Sequence, residues 1–133
     1  MSAENVQTVR EMNDAFAAND FQSALAKLHP DVVWHGTTGG LDDGQVTRGH
    51  RELIDAFVKN YEVWERLELE ATKYIDAGDG VLVFFHEIAR GRESGAEVET
   101  ETGVIFTVKD GLIVEVHPYM DRRAALEAAG VDQ

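Results

Sequence analysis

Cysteine is absent from the 133 residues, which removes disulfides, thiolate catalysis and cysteine-based zinc or iron–sulfur centres together. Positive charge is scarce: 12 Lys and Arg stand against 25 Asp and Glu, a formal charge of -13. Phosphate binding is driven by cationic side chains that displace counterions, so neither a nucleic acid nor an anionic membrane surface fits as a partner. The acidity speaks for solubility and names no partner of its own. Nowhere do about 18 apolar residues run together, and the N-terminus has no basic segment followed by an apolar one. A soluble, cytoplasmic protein is expected.

Recognition motifs are missing too. There is no GxGxxG, no phosphate-binding GxxxxGK and no GxSxG elbow, which leaves nucleotide cofactors and serine-hydrolase chemistry without support. His29, His35, His50, His86 and His117 show neither HExxH nor a pair four apart on a helix, so no metal and no cofactor is expected. Glu97, Glu99 and Glu101 alternate along one strand face, the pattern of a solvated face more than of a calcium site.

What is present reads as one domain over residues 3–130, helices first and strands afterwards. Val6, Val9, Met12 and Phe16 recur at helical spacing over 3–18, with Ser2 as N-cap and Asn19-Asp20 as the stop. Asp20 caps a second helix carrying Phe21, Leu25 and Leu28, which ends before Pro30. Val32, Val33 and Trp34 form a strand. The segment 36–49 holds five glycines and suits a mobile pocket lip, with a short strand around Leu41–Val46. A third helix over 50–60 carries Leu53, Ile54, Phe57, Val58 and Tyr61 as one apolar stripe.

From there the period is two. Strands at about 62–75, 81–90, 96–108 and 112–120 are separated by glycine-rich turns, and such short connections make an antiparallel meander. Val81–Ile88 is apolar on both faces, so its second face is expected to be covered by another subunit, making a homodimer. A last helix, 121–129, stops at Gly130. Three helices on one side of a strongly curved antiparallel sheet give an α+β cone whose wide end is an open pocket.

This order of elements, with LHPDVVWHG at 28–36, DAGDGVLVFF at 76–85 and KDGLIVEVHPYMD at 109–121, resembles the cystatin-like, nuclear-transport-factor-two-like superfamily, and within it the SnoaL-like family. The resemblance covers residues 3–130. It implies the cone and a chemistry chosen among those of polyketide cyclases, ketosteroid isomerases and limonene epoxide hydrolases. The isomerase pattern is not matched: Gly36, Met12 and Val104 stand where its base, its tyrosine and its protonated aspartate belong. The arginine of the epoxide hydrolases is missing from ETETGVIF at 99–106. What matches is the Tyr-x-Asp ending of the last strand, Tyr119-Met120-Asp121, where similar cyclases place a catalytic carboxylate.

Asp121 is thus the expected general base, although an aspartate just before RRAALEAAG is equally a helix N-cap. Capping lowers its pKa, whereas an apolar pocket raises it, and only the second makes a base for neutral pH. His117 is the expected proton donor if a bulge at Pro118 brings it to Asp121. Trp34, Phe16, Met12, Tyr119, Phe57 and His86 are the expected substrate-binding residues, the aromatic ones forming a wall for a flat ligand. The expectation is a cofactor-independent enzyme acting on a small hydrophobic or aromatic molecule in a cavity of roughly 300 to 1,000 Å³. The alternatives are a non-catalytic binding module and a dimeric assembly domain with a filled cone.

Overall fold

The computed structural model describes residues 2–131, with the side chains of Ser2 and Tyr61 outside the described part; the Ser2 cap and the Tyr61 end of the helical stripe fall there. The elements are α1 (Ser2–Ala17), α2 (Phe21–Leu25), β1 (Leu28–His35), β2 (Val46–Arg48), α3 (Gly49–Val63), β3 (Trp64–Asp76), β4 (Gly80–Gly91), β5 (Glu97–Lys109), β6 (Leu112–Tyr119) and α4 (Arg122–Ala129). They build an α+β fold around one curved, unclosed six-stranded sheet in the order β2-β1-β6-β5-β4-β3.

Local chemistry sets the helix ends. Asn19 takes a left-handed φ of 59° and closes α1, a conformation that asparagine tolerates better than most residues. The Asp20 carboxylate accepts from Ser23 N and starts α2. Gly130, at φ 70°, ends α4. The turn between β5 and β6 places Asp110 and Gly111 at φ 52° and 80°, the pair of positive values that a tight hairpin with the twist of its strands requires.

The meander β3–β6 is antiparallel throughout, but β1 pairs with β6 in parallel, so the sheet is mixed. Leu28 belongs to β1 and not to α2. The strand absorbs Pro30 through a register irregularity between Leu28 and Val33, which is where a residue without an amide proton is tolerated. β2 lies at 46–48 instead of 41–46, and Leu41 is fully exposed in the loop before it. Among the described side chains of α3 only Leu53 is buried; Ile54 and Val58 face outward.

Two cores flank the sheet. On its concave face, Val9 and Met12 of α1, Ala24 of α2 and Leu53 of α3 pack on Val81, Val83, Phe85, Val104, Phe106 and Val116. On its convex face Leu82 and Ile75 are buried with Ala125 of α4, bordered by Phe84, Ile105 and Tyr119. The approach of α4 is close: a Cβ on Gly103 would lie 2.7 Å from that of Ala125. The second apolar face of β4 is therefore covered at Leu82 by a helix of the same chain, and its apolarity does not require a second subunit.

Candidate functional site

Strand parity decides which side chains meet. Phe85 and Ala71 belong to the concave core and form a row with Thr102; the next row on the same face is Thr100, Glu87 and Leu69. Thr102 is 4% exposed, whereas Leu69 is 49% exposed, so the second row marks the open end of the cone. Trp34 and Phe57 meet edge to face with centroids 5.8 Å apart, and Phe57 meets Phe16 likewise at 5.3 Å. Three of the four rings expected in the aromatic wall, Phe16, Phe57 and Trp34, thus touch one another in series and pack against the core. Met12 is fully buried as part of the core.

Glu87 is the acidic side chain of this concave face. Among the described residues no cation and no hydrogen-bond donor is paired with its carboxyl. Burial raises its pKa, and the negative charge of Asp42 raises it further. Asp42 lies on the loop that follows β1; its carboxylate accepts from Thr37 N at 3.1 Å, and its carbonyl leaves no space for a Cβ on Gly36. A carboxyl with a raised pKa is a stronger base than an ordinary carboxylate and can both take and return a proton. Sequence reasoning passed over Glu87, yet the signal was there: it follows Val81, Val83 and Phe85 at a spacing of two, the acid in a row of buried residues.

The other expected residues lie on the opposite face. Asp121 is exposed at the N-cap of α4, its Oδ1 accepting from Arg123 N at 3.0 Å. The capping role is the one realised, because β6 ends before Asp121 and the chain turns directly into the helix. His117 and Tyr119 pair with Ile105 and Gly103 and share the convex face with α4. Pro118 stays in register opposite Val104, so the bulge expected there does not form and His117 is not turned toward the cone. His117 stacks between His35, at 4.4 Å, and Tyr119, at 4.5 Å, and its Nε2 is 2.9 Å from Thr38 Oγ1. Burial and the neighbouring His35 lower its pKa, whereas burial raises that of Tyr119. His86 pairs with Glu101 on the convex face and lies 4.0 and 3.9 Å from Glu99 and Glu101. His117, Tyr119 and His86 are thus removed from the pocket by one step of alternation.

A separate groove of about 320 Å³ runs between β2 and α3, lined by Gln45, Thr47, Glu52, Asp55, Ala56 and Lys59; without an aromatic or apolar wall it does not suit a hydrophobic ligand. Among the described residues no three potential ligands converge on a metal position, and no helix is long and apolar enough to cross a membrane.

Among curated proteins the sequence finds no match. Solved structures share the fold. A nuclear-transport-factor-two-like protein of unknown function from Burkholderia pseudomallei K96243 is 25% identical with a TM-score of 0.78, covering 93% of this chain and 95% of its own. TerC, co-crystallised with polyporic acid, is 23% identical with a TM-score of 0.77 over 96% of this chain and 98% of its own. A candidate SnoaL-like polyketide cyclase from Jannaschia sp. CCS1 is 20% identical with a TM-score of 0.76 over 99% of this chain and 95% of its own. The SnoaL-like domain model matches residues 9–116, a span that runs from the middle of α1 to the middle of β6, and the chain belongs to the SnoaL-like domain family.

Proposed function

We propose that this protein is a cofactor-independent enzyme that acts on a small apolar or aromatic carbonyl compound, with Glu87 as its acid–base group. The observation that carries this reading is a half-buried carboxyl, its pKa raised, on the same concave face as the rings of Trp34 and Phe57. Flat apolar ligands stack on such rings. The ionised Glu87 takes a proton from the carbon next to a carbonyl, and the enolate attacks a second carbonyl of the same molecule. One carbon–carbon bond forms, and the proton held by Glu87 returns to the new alkoxide, so the ring closure is balanced without a co-reactant. Asp42 raises the basicity of Glu87 by like-charge repulsion.

Proton exchange in D₂O at the activated carbon of 2-tetralone, a flat aromatic ketone, followed by proton NMR, tests the first step. The wild type is expected to exceed the buffer rate, and Glu87→Gln to lose about 10²- to 10⁴-fold of that excess while still quenching Trp34 fluorescence in a Trp64→Phe background. Polyporic acid, the compound present with TerC, is a second probe for the quenching. Equal exchange by wild type and Glu87→Gln, with ligand bound in both, would exclude Glu87 as the base. Binding without exchange in either would favour the binding-module reading.

A further inference from the structure

The loop 36–45 is stitched to β6 through Thr38. Thr38 N donates to Pro118 O at 2.9 Å, and Met120 N donates to Thr38 O at 3.0 Å, so Thr38 forms a parallel bridge with Tyr119. The loop is tied within itself as well. Thr37 N donates to Asp42 Oδ1 at 3.1 Å, Gly39 N to Asp43 Oδ2 at 3.0 Å, and Gly36 N to Gln45 O at 2.8 Å. These bonds tie Thr38 and Asp42 into one hydrogen-bonded loop.

Beside its two backbone bonds to β6 and Met120, the seat of Thr38 has a side-chain contact to His117, whose Nε2 is 2.9 Å from the Thr38 hydroxyl. With Nε2 unprotonated, the hydroxyl donates to the ring. The groups facing His117 come from three elements: His35 from β1, Glu115 and Tyr119 from its own strand, and Asp43 from the loop; β5 presents Ile105 opposite it. The Glu115 carboxylate is engaged by His35 Nε2 at 2.6 Å. A proton on His117 then does two things. It reverses the bond, Nε2–H now donating to the Thr38 hydroxyl oxygen and the hydroxyl proton turning away. It also stacks a cation 4.4 Å from the His35 ring, which pairs with Glu115 as a cation whenever it is protonated, so that like-charge repulsion across the stack is what strains the seat.

We propose that His117 is a positioning residue for the pocket: as a neutral ring it seats the loop 36–45 through Thr38, and its protonation beside His35 unseats that loop and withdraws Asp42 from the mouth of the cone. The effect on turnover rests on the reading of Glu87 given above, whereas the latch itself does not. The direction follows from the lowered pKa of His117. The contribution of the neutral ring is complete above the ordinary histidine value of 6.5 and is lost as pH falls through the lower value of the folded protein.

Amide hydrogen exchange of the intact protein between about pH 8 and pH 5, corrected for intrinsic rates, reads the latch. Protection of the Thr38 and Met120 amides is expected to fall about tenfold or more on acidification while that of Val83 and Phe106 holds. His117→Gln keeps a polar partner for Thr38 without titrating, and is expected to stay protected across the range. Thr38→Val is expected to be weakly protected at every pH, and in it the Glu87 carboxyl, followed by carbon NMR, should titrate lower than in wild type. Protection in the wild type that does not change with pH, or a wild-type loss that persists in His117→Gln, would overturn the proposal. If the amides respond as expected but Glu87 titrates as an ordinary carboxylate in every form, the latch stands and the pocket reading falls.

Discussion

Gly103→Ala tests the docking of α4 with a single methyl group. Gly103 lies in the row Phe84–Gly103–Tyr119 beneath α4, and an added Cβ would stand 2.7 Å from the Cβ of Ala125 and 3.6 Å from Leu82 Cδ1 and Phe84 Cδ1. Carbon atoms pack best at about 3.5 to 4.0 Å, so only the Ala125 contact is too short, by about 1 Å. Ala125 is fully buried and its methyl has no rotamer to escape into, so α4 must lift or β5 must bend. Such overpacking costs about 1 to 3 kcal/mol, which in a domain of this size lowers the melting temperature by about 3 to 15 °C. Ala125→Gly removes the facing methyl at a cost of about 1 kcal/mol in helix propensity. Thermal or urea unfolding of the two single variants and the double variant closes a cycle. The double variant should be more stable than the sum of its parts by about 1 to 2 kcal/mol. Were α4 not packed there, a strand Gly→Ala change would be neutral or stabilising by up to about 1 kcal/mol. An unchanged or raised melting temperature for Gly103→Ala, or strict additivity, would refute the packing described.

Glu87 sets a pH dependence of stability. Its folded pKa is raised above the ordinary 4.5, so the native state holds the proton longer than the unfolded chain; the contribution is complete below that ordinary value and is lost as pH rises through the folded one. Glu87→Gln should therefore melt above wild type at about pH 8, with the difference closing toward about pH 4, and a gap that does not vary with pH would refute the shift. At Asp121 the capping role predicts a loss of about 1 kcal/mol on Asp121→Ala and little on Asp121→Asn, by urea unfolding, with ketone exchange intact in both. A loss of exchange in a fully stable Asp121→Asn would return the catalytic role to that carboxylate.

How legible each feature was depends on the range of the forces that set it. The stop at Asn19, the caps at Asp20 and Gly130 and the turn at Asp110-Gly111 are local: a φ angle or a side-chain hydrogen bond within three residues decides them. The reading of α2 failed at Leu28 because a tertiary pairing, Leu28 with Ile113 of β6, outweighs the helical continuation that its spacing allowed. The exposed Ile54 and Val58 show the same limit on α3, since a stripe of apolar residues does not tell how much of it the sheet will cover.

For the site, the amino-acid order by itself determined that Glu115, His117 and Tyr119 share a face, that Phe85 and Glu87 share another, and that residues 28–121 carry the motifs of a SnoaL-like cone. Period two within a strand guarantees that much. Only the tertiary structure decided which of those faces is concave. Parity fixes sides relative to one another and not relative to the core, and that choice was made by the docking of α1–α3 against Val83 and Phe106 and of α4 against Leu82. Once the helices took their sides, one step of alternation carried His86, His117 and Tyr119 to the convex face and left Glu87 facing the hollow.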